Sequence, residues 1–234
     1  MSSQDVSLTA RLTALLRAGG ADLVGFGDIS ALSDTWSRCV SLAVALPAST
    51  ICGIAEGPTQ DFYEQYYALN AKLDILAETA ASFLQERGFR ALAQTTTSVA
   101  ESAGYRTPLP HKTCATRSGL GWIGKSALLV TREFGPAVRL SSVLTDAPFE
   151  SLGQPVNSSQ CGGCTRCQEQ CPGRAIQGAL WNVKVEREAL VDVEACRKAA
   201  RALALERVGK EITLCGKCIE VCPYTQAWIG KGAC

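Results

Sequence analysis

The feature that most constrains this chain is a run of four cysteines, Cys161, Cys164, Cys167 and Cys171, with Pro172 directly after the last. Its spacing is C-x2-C-x2-C-x3-C-P. Three closely spaced thiolates can hold three corners of a cubane, while the cysteine just before the proline turns toward a neighbouring site. A second group, Cys215, Cys218 and Cys222 before Pro223, repeats the last three ligands and the proline. Its missing first ligand has Cys196 as the nearest candidate. Crossing the groups gives two complete sets: Cys161, Cys164, Cys167 and Cys222, and Cys196, Cys215, Cys218 and Cys171. That is the demand of two [4Fe–4S] clusters. Structural zinc and disulfides also use cysteine pairs, but neither gives a reason for the two C-x3-C-P endings. The remaining Cys39, Cys52, Cys114 and Cys234 read as small hydrophobes or incidental thiols.

The same ligand spacing occurs in bacterial two-cluster ferredoxins, so the C-terminal part is expected to be ferredoxin-like. The chain has 234 residues, 47% of them hydrophobic, which is material for one large or two small globular units. With 23 basic and 22 acidic residues, it lacks the charge footprint of a nucleic-acid or membrane-surface binder, and nucleic acid is not an expected partner. The opening MSSQDVSLTARL has an acid and no basic stretch before an apolar core, and no apolar run reaches the ~18 residues of a membrane span. A cytoplasmic location without a membrane partner is therefore expected. There, clustered cysteines point to metal rather than disulfides.

Leu8, Leu12, Leu15 and Leu16 share a helical face that ends near Arg17, ahead of Gly19 and Gly20. The runs 23–26 and 40–46 read as buried strands. Between Thr59 and Gly88, apolar residues recur every three or four positions, which predicts a long amphipathic helix with Thr59 as its N-cap. Runs 127–131 and 138–144 flank Gly135 and Pro136, which predicts a hairpin or near-hairpin. Polar, turn-forming residues 151–160 predict a boundary, giving domains at 1–150 and 151–234. The expected fold class is α/β (α+β).

A ferredoxin needs only a small domain, so the first 150 residues call for another purpose. The most unusual stretch is LPHKTCATRSGLGWIGKSALLVT, residues 109–131, which holds the only histidine, His111, and Gly119, Gly121 and Gly124. Those glycines allow close backbone approach, either to a large ligand or in a tight turn beside a packed Trp122.

GLGWIGK before a strand, then C-x2-C-x2-C-x3-C-P, an isolated cysteine and C-x2-C-x3-C-P, resembles the epoxyqueuosine reductase family. These are cobalamin and double [4Fe–4S] proteins related to reductive dehalogenases. The strand ending in ALP, the long helix and the TDAP turn at 145–148 follow the same order. The resemblance implies a nitroreductase-like, mixed-sheet domain that holds a corrinoid, followed by the ferredoxin-like domain. It implies that Lys112, Arg117, Gly119, Leu120, Gly121, Trp122, Gly124, Lys125 and Ser126 contact the cobalamin or its tail, and that Cys196 is the isolated ligand of the second cluster.

The family presents an aspartate in a D-x-G-P pattern upstream of GLGW, and Tyr105 stands in that place here. A tyrosine proton donor is the reductive dehalogenase solution, with Arg106, His111, Lys112 or Arg117 as a cation to lower its pKa. His111 is a second candidate proton donor, amide-binding residue or cobalt ligand. The helical repeat domain that follows the clusters in many tRNA-acting members is expected to be absent. The function these features predict is a corrinoid-dependent iron–sulfur reductase. Reduced ferredoxin or flavodoxin would be the electron donor, and a small molecule the substrate. The alternative is a non-catalytic electron carrier that reduces the corrinoid of a partner protein. A homodimer would shield an exposed cluster edge.

Overall fold

The computed structural model describes residues 7–99 and 102–230. Cys234 and the first six residues of the opening segment lie outside the described residues. The elements, in order, begin with α1 (Leu8–Ala18), β1 (Leu23–Asp28), β2 (Arg38–Ala45), α2 (Ala48–Cys52), α3 (Gln60–Gln85), β3 (Ala91–Gln94) and α4 (His111–Arg117). Next come β4 (Trp122–Ile123), β5 (Leu129–Val130), β6 (Val138–Thr145), α5 (Arg166–Glu169), α6 (Arg187–Leu190), α7 (Val193–Val208), α8 (Lys217–Glu220) and α9 (Pro223–Ile229).

Contacts divide the chain into two compact units, each drawn from separate segments. The first comprises Met1–Val44, Asn70–Leu120 and Arg139–Val156, and the second Ala45–Leu69, Gly121–Val138 and Asn157–Cys234. Thus 45–69 and 121–138 group with the cysteine-bearing segment rather than with the rest of the first 150 residues.

In the first unit a four-stranded sheet has the order β1-β2-β6-β3, with β1 antiparallel to β2 and β3 antiparallel to β6. The central β2 reads Arg-Cys-Val-Ser-Leu-Ala-Val-Ala and is buried at six consecutive positions, as a strand covered on both faces should be. Leu12 and Leu16 of α1 are fully buried. Cys39 and Cys114 sit in an apolar cluster with Ile29 and Leu144, so both behave as small hydrophobes. Helix α3 begins where the sequence places it: the Thr59 hydroxyl accepts the Phe62 amide at 3.2 Å, an N-cap.

Of the expected hairpin or near-hairpin, the two strands do not pair with each other. β5 is only two residues long and pairs antiparallel with β4 in a separate two-stranded sheet, while β6 joins the four-stranded sheet. The turn does close locally, since the Thr131 amide donates to Gly135 O at 3.0 Å and the Gly135 amide to Thr131 O at 3.1 Å. Beyond it, β6 carries Val143, Leu144 and Thr145 into the larger sheet, where they are buried. Burial of six of the eight residues of β6 outweighs pairing over two.

Candidate metal centre and cofactor-facing segment

In the second unit Cys167, Cys196 and Cys218 lie on α5, α7 and α8, while the other cysteines of the two runs lie outside the helices, where what holds each thiol is local. Cys222 is the N-cap of α9 and Pro223 its first residue, where a missing N–H costs nothing. The amides of Tyr224 and Thr225 donate to the Cys222 sulfur. Helix α9 is pinned in turn, since Tyr224 meets Trp122 edge-on at 5.0 Å and Trp228 meets Phe134 at 5.4 Å. The first proline does similar work: past Pro172 the chain turns so that the Ala175 amide donates to Cys171 Sγ at 3.3 Å. Gly173 then packs so closely on α7 that a Cβ there would lie 2.8 Å from Ala195 O. Helix α7, capped by Asp192 accepting the Ala195 amide at 3.0 Å, carries Cys196 in that same turn. This contact brings Cys171 beside the isolated cysteine.

The electrostatics record which thiols are neighbours. Burial, and then the proximity of Cys161, Cys222 and Cys164, pushes Cys167 up to about 11. Cys222 is raised by burial and, more weakly, by Cys161 and Cys164. Cys196 is exposed on α7, yet partial burial followed by Cys171 and Cys215 raises it too. Cys215 is raised by burial and by Cys171. Cys218 is pushed furthest, by burial and then by Cys215, Cys196, Cys167 and Cys171. So many thiols pressed together resist ionisation until a cation compensates them, which is what bound iron does. Among the described residues, no group of His, Cys, Asp and Glu is gathered as ligands of a single metal ion. A cubane does not require that, because its four cysteines bind separate corners.

One cavity brings Cys161, Cys164, Cys167, Cys218 and Cys222 together with Gly124, Lys125 and Ser126. A Cβ at Gly124 would lie 3.5 Å from Cys161 Sγ, and Lys125 Nζ donates to Cys164 O at 2.8 Å. Part of the segment that the resemblance assigns to the corrinoid therefore lines the thiol cavity. The other glycines have local duties. Gly119, at φ +74°, ends α4: its amide donates to Thr116 O and that of Leu120 to Ala115 O, the paired bonds of a Schellman motif. Gly121 sits where a Cβ would come 2.1 Å from Val130 O, so close approach here is to the protein's own backbone. Trp122 is buried at 1% exposure, and its indole N–H finds no acceptor among the described residues.

The remaining candidates lie in the first unit. His111 opens α4 and pairs through Nδ1 with Ser142 Oγ at 2.9 Å; the same hydroxyl accepts from Gln94 Nε2 at 3.2 Å. Burial, and then the Arg139 guanidinium, pull its pKa down to about 4 against a weak opposing pull from Asp74. The ring is neutral at neutral pH, which favours a hydrogen-bonding or ligand role over that of an acid. Lys112 is half-buried on the same helix, and Arg117 is half-buried at its C-terminal end. Tyr105 is exposed at φ +58°, on a turn closed by the Ser102 amide donating to Arg106 O at 2.8 Å. The buried Lys125 beside the thiols and the tight seat of Gly173 have no sequence spacing to announce them.

A double set of thiols on an α/β scaffold defines an iron–sulfur protein, and the comparisons agree. Residues 160–225 match the family described as "4Fe-4S double cluster binding domain". Epoxyqueuosine reductase of Synechocystis sp. is 30% identical over 119 residues, 51% of this chain and 40% of that protein. The solved structure of the catabolic reductive dehalogenase NpRdhA superposes with TM-score 0.71 at 21% identity, covering 95% of this chain and 32% of that one. The selenomethionine-labelled epoxyqueuosine reductase superposes with TM-score 0.59 at 20% identity, covering 94% and 66%. The α/β fold expected from sequence is thus the one observed. The chain is similar to epoxyqueuosine reductases in sequence, and it spans about 40% of the length of the curated relative cited first.

Proposed function

We propose that this chain is a corrinoid-dependent iron–sulfur reductase acting on a small electrophile. The observation that carries this reading is the cavity in which five cysteines meet Gly124, Lys125 and Ser126, which supports a corrinoid-facing role for that segment beside thiols that would hold a cluster. The thiol neighbourhoods support crossed ligand sets: Cys161, Cys164, Cys167 and Cys222 for the first cluster, and Cys171, Cys196, Cys215 and Cys218 for the second. When bound, the clusters supply one-electron storage at low potential and a corrinoid supplies a cobalt centre that takes those electrons to substrate.

The chain's own residues do the rest. Backbone amides of Ala175, Tyr224 and Thr225 donate to cluster thiolates and stabilise their charge. Neutral His111, oriented by Ser142, offers its second ring nitrogen to a corrin amide or to cobalt, and Lys112, Arg117 and Leu120 complete the α4 side of that site. The Tyr105 hydroxyl delivers the proton to the substrate. Residues 1–150 supply the nitroreductase-like, corrinoid-holding part and 151–234 the cluster part, in the cytoplasm, with reduced ferredoxin or flavodoxin as donor. No helix of the described residues is long and apolar enough to cross a membrane.

The test is anaerobic. The iron-loaded chain is mixed with reduced ferredoxin and cob(II)alamin, and the cobalt oxidation state is read from the visible spectrum. Reduction only in the presence of the chain supports the proposal. An iron-loaded chain that takes electrons from ferredoxin but leaves the corrinoid unreduced overturns it.

A further inference from the structure

Lys125 lies in the stretch that the resemblance assigns to the corrinoid, yet its surroundings belong to the first thiol set. Its side chain is buried, at 6% exposure. Among the described residues, its ammonium makes one hydrogen bond, to the carbonyl of Cys164 at 2.8 Å, and no ion pair. An ammonium brings three donors and a full charge, and burying it beside a neutral carbonyl alone is costly. The cavity it lines holds Cys161, Cys164, Cys167 and Cys222, where a cubane with four thiolates carries net negative charge and gains more on reduction.

The second set has a lysine too, but a differently compensated one. Lys217, between Cys215 and Cys218, donates to Ala55 O at 2.6 Å and pairs with Glu220 at 3.1 Å. Glu220 opposes its field, whereas among the described residues no carboxylate pairs with Lys125.

We propose that Lys125 is a positioning charge for the first cluster, raising that cluster's reduction potential above the second's so that an electron given to the pair comes to rest on the cluster beside residues 124–126. The physical reason is Coulombic: a buried cation favours whichever oxidation state is more negative, and in a poorly solvated cavity water screens it little. The inference rests on the first ligand set proposed above.

The experiment is potentiometric titration of the holoprotein followed by electron paramagnetic resonance, on wild type, Lys125→Gln and Lys125→Arg. Gln keeps a donor for Cys164 O and removes the charge, while Arg keeps the charge. Lys125→Gln should make reduction of one cluster at least tenfold less favourable, which is 59 mV for one electron, and leave the other unchanged. Lys125→Arg should stay near wild type. Equal potentials for wild type and Lys125→Gln, or a variant that loses iron in both Gln and Arg forms, would overturn the proposal and leave Lys125 as a structural staple of the Cys161–Cys164 turn. The shift should survive in a Cys196→Ala/Cys215→Ala background and vanish in Cys161→Ala/Cys222→Ala. If neither background retains an intact cluster, the ligand sets fail. If both do and no shift appears, the role of Lys125 fails.

Discussion

The crossed ligand sets make a prediction that motif-by-motif assignment does not share. In the Cys161→Ala/Cys222→Ala double variant, the crossed assignment takes two corners from the same cluster and none from the other. The structure supports that choice: the thiols that act on Cys222 are Cys161 and Cys164, from the other motif, and those that act on Cys196 are Cys171 and Cys215. Iron should therefore fall from about eight to about four per chain, and the reduced protein should retain an intact [4Fe–4S] signal of about half the wild-type spin. In Cys161→Ala/Cys171→Ala each cluster loses one corner, and no intact four-cysteine site remains. If each motif instead held its own cluster, the two outcomes would exchange. Iron and sulfide analysis with electron paramagnetic resonance of the reduced protein reads both. An intact half signal in Cys161→Ala/Cys171→Ala, absent from Cys161→Ala/Cys222→Ala, would refute the crossing.

Gly121→Ala should destabilise the holoprotein by about 3 kcal/mol, because backbone rather than a flexible side chain must give way at Val130 O. Gly53→Ala, whose added methyl would meet nothing closer than 3.5 Å, should change stability by less than ~1 kcal/mol in the same denaturant titrations, and equal costs would contradict the packing. His111 is the only histidine, so its imidazole resonance should titrate near pH 4 rather than near 6.5. The unfolded ring takes up protons first, so the stability from burying it neutral is complete above pH 6.5. It is lost as pH falls toward 4, by about 3 kcal/mol in all, and a midpoint near 6.5 would contradict the buried pairing with Ser142. Tyr105→Phe should abolish turnover of a reducible substrate while iron content and corrinoid retention stay at wild-type levels, and unchanged turnover would remove the Tyr105 hydroxyl from the mechanism.

The parts of this protein legible in its sequence are those with a period or a fixed spacing. α1 and α3 follow from apolar recurrence, and the caps at Thr59 and the stop before Gly88 follow from local hydrogen bonding. The cysteine runs are legible because a cubane imposes its geometry on short loops. The strands expected to pair around Gly135 do not, because a turn signal specifies where the chain reverses, not which sheet claims the strand beyond it; that choice is made by the long-range burial of β6. The glycines of 119–124 illustrate a second limit. A glycine marks close approach without naming what approaches, and for Gly121 the partner is Val130, not a ligand. The thiol neighbourhood of Lys125 is illegible for a third reason: the resemblance places this lysine against the corrinoid or its tail, and only tertiary contacts bury it beside Cys164.

The most direct test of the central claim is metal analysis of the chain purified anaerobically, reconstituted with iron and sulfide, and passed through gel filtration with cobalamin. The proposed reductase should elute with about eight iron atoms and about one cobalt per chain. Retention of about eight iron with no cobalt would contradict a corrinoid site on this chain and leave it an electron carrier for a partner's corrinoid.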